Sequence, residues 1–186
     1  MLSELDNYLQ RIEDLRGQVR DLIADLPAEA LNWRPIPLSA LAPSALSEKE
    51  ASRAEKGADA TNSLAVLAAH IAGAEHFWIG EVIGGRPPTR DRDAEFLTEV
   101  KDSSQLVRLL EQSGLETREI LTSLTATDLD GMREARGHQV PVRWGILHII
   151  DHTALHLGHM QLTYQLWMGG PSGRAPLWFD RLDSGD

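Results

Sequence analysis

The chain has 186 residues and no cysteine, which suits one domain around a single core and excludes disulfides, zinc–thiolate sites and a cysteine nucleophile. Its 28 acidic residues against 18 basic ones give a formal net charge of −10. A field of that sign repels phosphate backbones, so no nucleic-acid partner is expected.

No apolar run approaches the roughly 20 residues needed to cross a bilayer, so no membrane partner is expected either. The stretch MLSELDNYLQRIEDL lacks the basic-then-apolar pattern of a secretory leader, and the expected location is cytoplasmic.

Residues 2 to 26 place Leu2, Leu5, Leu9, Ile12, Leu15, Val19, Leu22, Ile23 and Leu26 at the three/four spacing of an amphipathic helix, stopped by Pro27. From 27 to 60 the prolines at 27, 35, 37 and 43 forbid a long helix. That segment is expected to be a loop, with an insertion over 36–60 that either lies on the surface or covers a site.

A second helix is expected from a cap at Thr61 or Asn62 to Ile83, ended by Gly84-Gly85. A third runs from about Ser103 or Ser104 to Leu124, with Leu106, Leu109, Leu110, Leu115, Ile120 and Leu121 as its apolar face. TATDLDGMREARGHQ reads as turn and loop, with Asp128 and Asp130, like Asp91 and Asp93 upstream, as turn or cap residues. A fourth helix starts near Pro141 and ends at Gly169-Gly170-Pro171. Residues 171–186 form a tail that is expected to pack back irregularly.

Four long helices without strand alternation imply an all-α four-helix bundle. The connection between the second and third helices has about 18 residues. That is enough to run the length of a helix of about 33 Å, so these two helices can lie parallel.

Four of the seven histidines fall in HIIDHTALHLGH, residues 148–159. Each helical residue advances about 100°, so relative to His148 the rings of His152, His156 and His159 lie about 40°, 80° and 20° away. All four share one face. His152 and His156, four apart, can offer both imidazoles to one metal ion. No glutamate stands between them, so the metalloprotease motif is absent.

The third ligand is expected from His70, set in the apolar run LAVLAAHIAGAEHFW. Three neutral imidazoles from two facing helices leave a coordination position open, as in catalytic sites. Glu75 and His76 lie about 140° and 240° around the helix from His70 and cannot face the same ion. His148 is expected behind the ligands or along the pocket, and His159 along the pocket or facing solvent. Trp33, Trp78, Trp144 and Trp167 read mainly as packing residues, and Arg34 and Arg143 as surface partners of carboxylates.

LNWRP (31–35), NSLAVLAAHIAGAEHFWIGE (62–81) and HIIDHTALHLGHMQL (148–162) together resemble the DinB-like superfamily. That group includes the damage-inducible DinB proteins, bacillithiol transferases and mycothiol-dependent maleylpyruvate isomerase. The resemblance covers most of the chain, except residues 36–60 and the tail. It implies an up-down-down-up bundle that often forms homodimers. It also implies a divalent metal on one histidine of the second helix and two of the last, which match His70, His152 and His156. In some relatives the first of the last pair is Glu. Gly158 and His159 fit as well, since relatives often carry Gly and then His or Gln there.

The resemblance implies thiol S-transfer or a related isomerisation, with a small-molecule substrate and a low-molecular-weight thiol. Metal-assisted hydrolysis and a non-catalytic metal-binding stress-response bundle are the alternatives. Zinc or nickel is the expected ion, with iron and manganese also compatible.

Overall fold

A computed structural model describes residues 2–36 and 61–170. The expected insertion, with Pro37 and Pro43, and the C-terminal tail lie outside the described residues. Helix α1 (Ser3–Ile23) buries Leu5, Leu9, Ile12, Leu15, Val19, Leu22 and Ile23, as the spacing requires. Pro27 then stands as the N-cap residue of a short helix, α2 (Ala28–Asn32). The segment expected to be loop therefore contains a helical turn, because a proline that stops one helix suits the start of the next.

The second long helix begins as α3 (Leu64–Glu75) and continues as a π-helical segment, His76–Ile83. Its cap is Ser63, whose hydroxyl accepts from the Val66 N–H, rather than Thr61 or Asn62. Asn62 is taken by Arg34 and Thr61 by Ile36. A long connection carries the single turn α4 (Arg92–Glu95), capped by Asp91, and leads to α5 (Ser104–Ser123).

The inner stripe of α5 is Leu106, Leu110, Ser113, Gly114, Thr117, Ile120 and Leu121. Leu109 and Leu115 lie at its flank, and Leu115 is 71% exposed. Leu106, Leu110, Ile120 and Leu121 are the expected face, but between them the inward positions are small and polar, and Gly114 and Thr117 receive side chains from other helices.

The segment expected to be turn and loop holds a short helix, α6 (Ala126–Leu129), started by a reciprocal Thr125–Asp128 capping box. A two-stranded antiparallel hairpin follows, β1 (Met132–Ala135) paired with β2 (His138–Pro141). Four-residue strands carry too little alternation to be read from sequence. The last helix, α7 (Val142–Trp167), starts directly from Pro141 and ends before Gly169 and Gly170, both at positive φ.

Two core clusters fix the topology. One gathers Leu15–Leu26 of α1 and its end, the first half of α3, Leu106 and Leu110 of α5, and Leu157, Met160 and Tyr164 of α7. The other gathers Leu5, Leu9 and Ile12, then Ile79 and Ile83, Ile120 and Leu121, and Val142, Ile146 and Ile149. Helices α1 and α7 therefore run one way, while α3 and α5 run the other. This is the up-down-down-up bundle, and it forces the connection after α3 to travel back along the bundle. No helix among the described residues is long and apolar enough to cross a membrane.

Candidate metal centre

Helix α3 is apolar on nearly every side, and all its residues but Gly73 are buried. His70 is 7% exposed and faces α7. Its Nε2 lies 3.1 Å from Nε2 of His152, and its ring centroid lies 5.0 Å from that of His156. Each of the three histidines offers one ring nitrogen within 4.8 Å of the other two. Two nitrogens bound at about 2.0–2.1 Å to one tetrahedral ion stand roughly 3.3 Å apart, so the His70–His152 pair is already spaced for a shared ion.

Behind His70 stands Glu95, whose Oε2 accepts from His70 Nδ1 at 2.8 Å. That bond puts the proton on Nδ1 and turns the Nε2 lone pair toward the other histidines. Arg90 grips the same carboxylate through Nε at 2.6 Å and Nη2 at 2.8 Å. Burial pushes the Glu95 carboxyl up, but the hydrogen bonds from Arg90 and His70 outweigh it and hold the group below its ordinary value. The close approach needs Gly73, because a Cβ there would overlap the Glu95 carboxylate.

Glu95 and Arg90 carry no signal in the sequence. The topology brings them in: the connection that must run back along the bundle passes His70.

The other ligand candidates are held neutral. Burial and then the neighbouring histidines His156, His70 and His148 push His152 down to about 2. Burial, His70 and His159 push His156 down to about 4. His152 Nδ1 is buried with no hydrogen-bond partner among the described residues. Three converging ring nitrogens form a donor set that fits a divalent cation, and the His70–Glu95 pair supplies the carboxylate–histidine support such sites use.

The remaining predicted residues divide. His148 packs flat on Trp144, with ring centroids 4.8 Å apart and 4° between planes, and edge-on to Trp78; burial lowers its pKa against the pull of Asp151. It lines the cavity in front of the ligands. His159 is exposed, with Nδ1 3.3 Å from His156 Nδ1.

Glu75 and His76 face away, as their helical angles require. Glu75 meets Arg16 and Thr117, and His76 meets Glu116 and Thr89. Arg143 pairs with Glu4 and Asp130. Arg34 instead donates to the Asn62 side chain and the Phe96 carbonyl, so it fastens the chain around α3 rather than pairing with an acid. Trp167 packs against the core end that holds the C-terminus of α7.

Trp78 reaches the cavity because the π-helical segment advances each residue by less than an α-helix does, turning the ring toward the His70 face. The cavity is about 560 Å³ and is lined by His70, His148 and His152 together with side chains from the π-helical segment, the α3–α5 connection and the hairpin. His156 lies behind it.

No curated protein matches the sequence significantly. The fold is similar to the crystal structure of a conserved protein from Enterococcus faecalis, with a TM-score of 0.66 and 14% identity, covering 88% of this chain and 96% of that one. Such a likeness speaks for the fold alone. The family model of the DinB superfamily matches residues 11–160, and with the bundle and the three converging histidines in place, the chain belongs to the DinB superfamily.

Proposed function

We propose that the protein is a metal-dependent enzyme of the thiol S-transferase type, with His70, His152 and His156 as ligands. The single observation that carries the reading is the convergence of three imidazoles, two of them on the wall of an open cavity, with Glu95 fixing the tautomer of the innermost one. A divalent ion there would lower the pKa of a thiol or water held in its free position and yield a nucleophile at neutral pH.

In the transfer itself the thiol S–H bond breaks and its proton passes to solvent. The sulfur pair forms a bond to the substrate carbon, and the leaving group departs with the pair of the bond it breaks. His70 and His152 form the cavity's inner wall, and the stacked Trp144–His148 pair forms one side of its mouth. The open cavity favours this reading over a closed ion that only ties α3 to α7.

Zinc or nickel suits three imidazoles best, with iron or manganese as the other members of the set. A homodimer in the cytoplasm belongs to the same reading. Its support among the described residues is an exposed stripe on α7 formed by Leu147, Leu155, Leu162 and Leu166, which fall within about 100° of one another around the helix.

The test is metal content of tag-free protein, followed by conjugation of a small thiol to a halogenated aromatic electrophile. About one ion per chain and turnover abolished by chelation are expected. Metal without turnover over a panel of thiols and electrophiles would leave a metal-binding bundle, and no metal after reconstitution would end the reading.

A further inference from the structure

The lining of the cavity runs against the charge of the chain. The protein carries 28 acidic and 18 basic residues, yet Arg90, Arg92 and Arg136 line the cavity and, among the described residues, no carboxylate does. Arg90 is occupied, since it grips Glu95 through two bonds. Arg92 and Arg136 have no acidic partner among the described residues. Each is parked over an aromatic ring, Arg92 4.8 Å from the centre of Phe96 and Arg136 4.9 Å from the centre of Phe77. A guanidinium stacked this way keeps its fork of N–H donors free for a planar anion.

The backbone under Arg136 makes the placement more telling. Arg136 and Gly137 are the two central residues of the hairpin turn, with φ of 53° and 82°. Such a turn prefers Asn, Asp or Gly at its first central position. The left-handed region is unfavourable for a residue that carries a Cβ. Local stability does not explain arginine there; its position at the mouth of the cavity does.

Between the arginines and the histidines stand flat surfaces. Trp78 and Trp144 meet at 5.2 Å between ring centroids, and Phe77 packs edge-on to Trp78 at 5.2 Å. A cavity of about 560 Å³ is of the size that holds a small organic molecule.

We propose that the cavity takes an organic anion with a flat, apolar body, its carboxylate held by Arg92 and Arg136 and its body against Phe77, Trp78 and Trp144. The functional reading above enters only in what lies at the inner end: if the histidines hold a metal, this anion is the molecule presented to it. The anchor itself needs no metal.

Calorimetric titration of full-length protein with 2-naphthoate and its uncharged isostere 2-naphthamide tests this, in zinc-loaded and chelator-stripped forms. Naphthoate is expected to bind both forms at least tenfold more tightly than naphthamide. Arg92→Ala with Arg136→Asn should remove most of that preference while leaving naphthamide binding unchanged. Arg136→Asn suits the turn better than arginine does, so its melting temperature should not fall, which separates lost binding from lost fold.

Equal affinity for the two probes, or no binding of either, would overturn the proposal. So would naphthoate binding that needs zinc and ignores both substitutions; the anion would then be a metal ligand and the metal reading would survive without this one. Arginine-dependent binding in a protein that retains no zinc would leave the anion pocket standing and remove the metal reading.

Discussion

Helix α3 carries two buried ionisable groups five residues apart, and the molecule treats them in opposite ways. Glu75 is wholly buried between α1 and α5, where Arg16 reaches one oxygen at 2.5 Å and Thr117 donates to the same oxygen at 2.6 Å. Arg16 crosses α5 at Gly114, where a Cβ would meet its guanidinium. Burial raises the pKa of Glu75 against these partners. Opposite charge lies against one oxygen, while the other, Oε2, is buried without a hydrogen-bond partner among the described residues.

His70 faces the other way, toward two more bases of its own kind and a cavity. Its Nδ1 meets Glu95, and its Nε2 meets only another histidine, His152. A buried polar group that finds an opposite charge serves the fold, whereas like bases that meet one another beside a cavity mark a candidate binding site. The contrast separates a structural cluster from a candidate site on one helix.

The comparison can be broken by substitution on either side. His152→Ala should abolish metal retention while leaving the fold intact, measured by elemental analysis beside circular dichroism; retention of one ion per chain would remove His152 from the site. On the closed side, Arg16→Met leaves the Glu75 charge buried alone and should cost about 3–5 kcal/mol in denaturant unfolding. Adding Glu75→Gln should recover a large part of that loss. Metal affinity should not change in either variant, and a tenfold shift would mean that the two clusters are coupled.

Glu95→Gln keeps the shape but weakens the support of His70, and should lower metal affinity by about 10- to 100-fold. Gly73→Ala should act in the same direction by displacing Glu95, although it touches no ligand; unchanged affinity in both would make Glu95 a bystander.

The smallest effect concerns pH. His152 and His156 sit well below their ordinary pKa in the metal-free protein, so the unfolded chain binds protons first as pH falls. Stability contributed by their neutral forms is present above about pH 6.5 and is lost as pH falls toward their folded values, by at most about 1.4 kcal/mol per pH unit for each group. Melting temperature of stripped protein between pH 8 and 5 should show this slope, and His152→Ala should flatten it. An unchanged slope would contradict the neutral cluster.

The sequence made the long helices readable because their apolar positions repeat over many turns, as at Leu5, Leu9 and Ile12. It also made the three histidines readable, since spacing puts His152 and His156 on one face and apolar neighbours put His70 inside. Gly114 and Thr117 were not legible as core, because their inward position serves Arg16 and Glu75 from other helices.

Glu95 was not legible either. Its partner is 25 positions away, and only the parallel placement of α3 and α5 draws the connection past His70. The hairpin escaped because four-residue strands leave no period to count, and with it went Arg136 and the charge of the cavity mouth.

The most direct test of the central claim is X-ray absorption of the zinc-loaded protein with and without a small thiol. Three imidazole nitrogens at about 2.0–2.1 Å and one oxygen are predicted, with the oxygen replaced by sulfur at about 2.3 Å when thiol is added. A shell closed by protein ligands and unmoved by thiol, or one without imidazole, would contradict it.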